Sequence, residues 1–252
     1  MIWDQLTSEE LASCDRHTPV LLLTAATEQH GSHLPLATDR LIGEHFLNVL
    51  EQRISQDVLI LPSVAVGCSD HHLSFPGSLS LSHRAFMNQV CDIIKQVFHH
   101  GFHKVVIFNS HGGNQAANQV IVEDVGYNYP DKQIVTTSWW RIAGDSLKNI
   151  TTTGPGGVGH AGEFETSVMM YIDPDLVRGD KVVPGSNQST FSWAEADLLR
   201  SSGASYYRTM REMTPNGVYG DPTQATVNKG EQITEAVVHA LTKLIQELKT
   251  DQ

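Results

Sequence analysis

Cysteine is scarce in this 252-residue chain, which has just Cys14, Cys68 and Cys91, none in a Cys-x-x-Cys pair. An odd, scattered set excludes a disulfide scaffold and a thiolate zinc cluster. Long apolar runs are missing too. No stretch approaches the roughly 18 residues that a membrane helix needs, and Met1-Ile2-Trp3-Asp4 lacks the basic region and apolar run of a secretory signal. Positive charge is in deficit: 17 Lys and Arg stand against 28 Asp and Glu, a net charge of −11. That balance argues against nucleic acid or an anionic membrane as partner. It leaves an anionic small-molecule substrate open, because bound cations reverse a local field. A soluble cytoplasmic protein is the expectation. With no internal repeat and no low-complexity linker, residues 1–252 read as a single domain able to bury a sizeable core.

What the chain has in unusual number is histidine, thirteen in all. Several sit beside Asp or Glu or in glycine-rich stretches, unlike core histidines. The apolar pattern places them. Buried strands are predicted at 20–26, 58–66 (interrupted by Pro62), 104–109 and 133–139. Helices are predicted at 39–55, 82–100 (stopped by Gly101), 114–125, 162–171 and 229–249. Residues 178–228 are polar and rich in Ser, Thr and Gly, and carry no clear element. Alternating buried strands and helices imply an α/β fold with a mainly parallel sheet. In such sheets ligands bind beyond the carboxyl ends of the strands. Glu28-Gln29-His30, Ser69-Asp70-His71-His72 and Asn109-Ser110-His111-Gly112-Gly113-Asn114 follow the first three predicted strands in turn.

Each cluster has a chemical and a structural reading. Glu28 and His30 point the same way in extended chain, and Asp39 returns after a proline turn, so a divalent cation could be held; a hydrogen-bonded polar loop is the alternative. His111 ends an apolar strand before two glycines that let a ligand approach backbone N–H groups; a core histidine at a strand–helix turn is the alternative. His160 follows the glycine-rich run 154–159 and should be free to move. Glu163 and Glu165 lie in a first helical turn, where acids are favoured whatever their function. His33 and His45 read as supporting or core residues. His99, His100 and His103 read as a solvated helix end, and Trp139 and Trp140 as a pocket wall or as core.

Four motifs together, in order and spacing, resemble the creatininase family: Thr27-Glu28-Gln29-His30-Gly31, Leu34-Pro35-Leu36 with Thr38-Asp39, Asn109 to Asn114, and His160 to Ser167. Phe75-Pro76-Gly77-Ser78-Leu79 is a weaker match. The resemblance implies a three-layer α/β/α sandwich, a homo-oligomer such as a hexamer, and two divalent ions per chain, whether zinc, manganese or iron. It implies that Glu28 and His111 bind one ion, His30 the other, that Asp39 bridges them and that His160 is the acid–base catalyst. Two departures stand out. Creatininase follows the strand-end histidine with Tyr-Glu, whose Glu binds the second metal; here Gly112 and Gly113 stand there, so Glu165, or else Glu163, is expected to complete that site. Creatininase also has a Trp four residues before the acid–base histidine, where this chain has Gly156. The expected activity is therefore hydrolysis of a cyclic amide or formamide-type C–N bond other than creatinine's. The alternatives are ring-opening C–C cleavage of a cyclic ketone of the inosose type, and a non-enzymatic metal-binding member.

Overall fold

Four runs of the sequence form a wholly parallel sheet in a computed structural model of the chain, which describes residues 1–251. They are β1 (Val20–Thr24), β2 (Leu59–Ile60), β3 (Lys104–Asn109) and β4 (Gln133–Ser138), in the order β2-β1-β3-β4. β1 pairs β3 from Val20↔Val105 to Thr24↔Asn109. Side chains alternate between the two faces, as the pleat requires. Leu21, Leu23, Val106 and Phe108 enter one core; Val20, Leu22, Val105 and Ile107 enter the other.

The helices are α1 (Ser8–Ser13), α2 (Thr38–Ile54), α3 (His83–His99), α4 (Gln115–Asn128), α5 (Trp139–Ile142), α6 (Gly144–Leu147), α7 (Glu163–Ile172), α8 (Met210–Met213) and α9 (Val227–Thr250). α2, α7 and α9 supply the first core with Phe46, Phe164, Ile233 and Val237. α3 and α4 supply the second with Phe86, Ile94 and Ile121. The result is the expected three-layer α/β/α arrangement. The long second strand is a correction: regular pairing covers two residues, not 58–66. Pro62 has no N–H to donate. Hydrogen bonds from Leu61 N to Leu21 O and Val64 N to Leu23 O, 2.9 Å each, carry the chain past it without a regular ladder. The exposed side of β2 is covered by the N-terminus, where Ile60 N–H donates to Met1 O at 2.9 Å.

β1 lies between β2 and β3, so its crossover to β2 and the later chain to β3 leave on opposite sides. This is the point in an open parallel sheet where a crevice forms. The residues that follow β1, β2 and β3 converge above it.

Candidate active site

The turn after β1 carries Glu28 and His30. The start of α2 carries Asp39, the end of β3 leads to His111, and the start of α7 brings Glu165. All five are at least 95% buried. The two carboxylate oxygens of Asp39 face different histidines: Oδ1 lies 3.2 Å from His30 Nε2 and Oδ2 lies 3.2 Å from His111 Nδ1. Glu28 Oε1 lies 3.3 Å from His111 Nδ1, and Glu165 Oε2 lies 3.8 Å from His30 Nε2. His160 Nδ1 lies 3.6 Å from Glu28 Oε1. The six residues singled out in the sequence thus meet in one place.

Backbone carbonyls fix which nitrogen of each ring is bare, since a carbonyl only accepts. His30 Nδ1–H donates to Glu28 O at 3.1 Å. His111 Nε2–H donates to Cys68 O at 3.1 Å. His160 Nε2–H donates to Gln29 O at 2.6 Å. In the neutral rings, the lone pairs of His30 Nε2, His111 Nδ1 and His160 Nδ1 all point at carboxylates.

That arrangement requires positive charge. Burial opposes a charged His30, yet Asp39, Glu165 and Glu28 together outweigh it and raise its pKa to about 9. Burial likewise opposes a charged His111, and Glu28 and Asp39 drive it well above its usual range. Burial pushes Glu165 up to about 7, with Asp39 adding to the effect and His30 opposing it. Burial, helped by His30, lowers His160 to about 3 and keeps its ring neutral. Imidazolium protons satisfy such a cluster, and so do divalent cations. The donor set fits cations: mixed His and carboxylate ligands suit zinc, manganese or iron. Glu28 Oε2 and Asp39 Oδ2 are buried with no hydrogen-bond partner. Glu28, His30 and Asp39 each bring a ligand atom within 4.8 Å of one another, as do His30, His160 and Glu165.

Glu163 and Glu165 separate cleanly. Glu163 accepts from Thr151 Oγ1 at 2.7 Å, Thr152 N at 2.9 Å, Thr153 N at 3.0 Å and Lys229 Nζ at 2.5 Å. Its oxygens are used up holding residues 151–153 and the start of α9. Glu165 faces the cluster, and its Oε2 accepts from Ala161 N at 2.6 Å. Ala161 has a left-handed backbone, φ 53°. That conformation is costly for a residue with a Cβ, and here it turns the N–H onto Glu165.

The expected freedom of His160 is corrected. Its ring stacks obliquely between His30 and His72, with centroids at 4.2 and 4.5 Å. The two glycines nearest to it in that run are closely packed: a Cβ on Gly157 would come within 2.1 Å of Thr153 Oγ1, and one on Gly159 within 2.1 Å of Tyr219 O. Gly113 is equally constrained, since a Cβ there would lie 2.2 Å from Cys68 O and 2.5 Å from His111 Nε2. A side chain at Gly113 would displace the Cys68 backbone or the His111 ring. At Gly156, by contrast, a Cβ would meet nothing within 4 Å.

His33 lies behind the site, its Nε2 3.0 Å from Thr166 Oγ1, and His45 packs on Thr234 at 3.1 Å. His99 and His100 are exposed. Trp139 is core, packed on Phe46 and Phe164, whereas Trp140 borders a groove of about 600 Å³ with Arg141 and Leu198. The sequence marked His72 only as part of the polar cluster 69–72; the structure buries it against Glu28, with Nε2 3.2 Å from Oε1. That cluster's place after the second predicted strand was the one signal available.

The family model for creatininase (creatinine amidohydrolase) matches residues 4–245. The chain belongs to the creatininase family. It is 30% identical over 238 residues to the mycofactocin precursor peptide peptidase of Mycolicibacterium smegmatis, covering 92% of this chain and 86% of that protein. It is 27% identical to the creatinine amidohydrolase of Pseudomonas putida, over 90% of this chain and 88% of that one. A crystal structure of creatininase superposes with a TM-score of 0.81 at 25% identity, covering 100% of this chain and 98% of the other. A manganese creatininase gives 0.79 at 26% identity, covering 98% and 97%. As a creatininase-family protein the chain is a metal-dependent amidohydrolase. Among the described residues no helix is long and apolar enough to cross a membrane.

Proposed function

We propose that this creatininase-family chain hydrolyses a C–N bond of a small cyclic amide or formamide other than creatinine, using two divalent ions. The single observation carrying this reading is the convergence of three buried carboxylates on histidine nitrogens left bare by their backbone partners. Glu28 and His111 would hold one ion and His30 and Glu165 the other, with Asp39 available to both because its two oxygens face the two histidines. Such a pair of cations supplies Lewis acidity toward a carbonyl and lowers the pKa of water toward neutrality. The chain does the rest. His160 Nδ1, bare and facing the cluster, takes up a proton and delivers it to the leaving nitrogen. Gln29 O holds the far side of that ring, so the accepting nitrogen cannot turn away. Gly113 keeps the backbone close to His111.

A second reading, cleavage of a peptide amide, is favoured by the 30% identity to a peptide peptidase over most of both chains. A homo-oligomer completes the proposal. Phe191 stacks on Trp193 and Tyr206 meets both edge-on while all three are 45–56% exposed, an apolar patch suited to a second copy. The deciding experiment is a screen of the metal-loaded protein against cyclic amides, N-formyl amines, short peptides and cyclic ketones. Turnover of a cyclic amide or formamide supports the first reading and of a peptide the second; turnover of cyclic ketones alone would overturn both.

A further inference from the structure

A hydrogen-bond chain runs from the backbone to the Glu28 carboxylate through two side chains that the proposed mechanism leaves idle. It begins at Gly31, whose N–H donates to Gln29 Oε1 at 2.9 Å. An N–H only donates, so the amide oxygen faces Gly31, and the amide nitrogen faces His72 Nδ1 at 3.0 Å and His160 Nε2 at 3.1 Å. Gln29 Nε2 then donates to His72 Nδ1 at 3.0 Å. That nitrogen must be the acceptor, so in the neutral ring the proton sits on Nε2, which lies 3.2 Å from Glu28 Oε1. The links are packed in place. Gly31 adopts φ 63° and Gly217 φ 78°, and a Cβ on Gly217 would come within 2.2 Å of Gln29 Oε1. His72 is 1% exposed, and its ring lies between those of His71 and His160 at 4.3 and 4.5 Å.

We infer that His72 is a positioning residue for Glu28, donating from Nε2 in a tautomer that Gln29 imposes, and that it is not itself a metal ligand. The inference rests on the reading of Glu28 as a ligand. A carboxylate whose orientation is fixed by such a donor presents its remaining lone pairs to a cation without first ordering itself, and partners of this kind are typically worth about 10- to 100-fold in metal affinity. The geometry also admits a rival, since Glu28, His72 and His160 bring ligand atoms within 4.8 Å of one another. As a ligand, however, His72 would need a bare Nε2, and Gln29 would then have to turn its oxygen toward Nδ1–H and leave Gly31 N–H facing an amide nitrogen.

The test uses the full-length protein with Zn²⁺ as probe. Long-range ¹H–¹⁵N spectra of the zinc-loaded, ¹⁵N-histidine protein should show His72 protonated at Nε2, its signal assigned by loss in His72→Phe. Gln29→Glu is nearly isosteric but accepts only, so it should move the proton to Nδ1 and weaken one zinc ion by about 10- to 100-fold in chelator competition. The added negative charge alone would tighten zinc, so the sign of the change separates the two effects. His72→Phe should weaken the same ion by a similar factor while still saturating at two ions. Loss of one ion outright in His72→Phe would make His72 a ligand and overturn the inference. So would an Nδ1 proton in the wild type, or unchanged affinity in Gln29→Glu. Glu28→Gln is the control: if it binds zinc as the wild type does, the ligand assignment beneath has failed instead.

Discussion

Glu163→Gln removes a carboxylate that clamps three segments. The side chain is fully buried and paired with Lys229. Burial raises its pKa, but Lys229 and the hydroxyls of Thr153 and Thr151 overcome this and hold it at about 2, against an ordinary 4.5. At 1.36 kcal/mol per pH unit, that difference corresponds to about 3 kcal/mol of folding stability. The sign follows from the depressed folded value. The contribution is complete above the unfolded value of 4.5 and disappears as pH falls through about 2. Glu163→Gln should therefore cost about 3 kcal/mol at pH 7, read from paired urea titrations of wild type and variant at fixed zinc, and the difference should shrink between pH 4.5 and 2. Because residues 151–153 lead into the His160 loop, turnover should fall while the ions stay bound. A difference below about 0.5 kcal/mol, typical of an exposed substitution, or one that does not change with pH, would refute the reasoning.

His160→Ala should keep its ions and lose about 10²- to 10⁴-fold in turnover, the scale of a missing acid–base group; ion loss would mark His160 as a ligand. Glu165→Ala should lose mainly one ion, with activity partly restored by excess cation; retention of both by elemental analysis would remove Glu165 from the site. Gly113→Ala should destabilise by about 1–3 kcal/mol, because the methyl group overpacks against Cys68 O and His111, and a thermal midpoint equal to wild type would count against that packing. Phe191→Ser with Trp193→Ser should lower the oligomeric state measured by sedimentation; no change would place the contact between copies elsewhere.

The layers of the fold were legible because apolar runs of strand length alternate with helical periodicity. β3 was expected at 104–109 and forms at Lys104–Asn109. β2 was expected at 58–66 and pairs regularly over Leu59–Ile60 alone, because an apolar run does not reveal how far one proline shortens a ladder. The positions of the site residues were legible because strand ends in a parallel sheet converge. Their interactions were less so. Glu163 and Glu165 are two residues apart on one helix, and spacing cannot tell that Lys229, 66 residues away, engages the first. The glycines before His160 suggested looseness, since glycine signals conformational freedom as readily as close packing. The placement of His72 depended on the path of residues 61–72 after β2, which no periodicity encodes. Residues 182–209 stay irregular in the structure, in keeping with the lack of any apolar period there.

Metal content of wild type and Asp39→Asn tests the central claim most directly. Elemental analysis of wild type saturated with Zn²⁺ or Mn²⁺ and freed of excess should give close to two ions per chain, and Asp39→Asn should lose both, because the oxygens facing His30 and His111 belong to that one carboxylate. A wild type fully active with no metal, or an Asp39→Asn variant that retains two ions, would contradict the account.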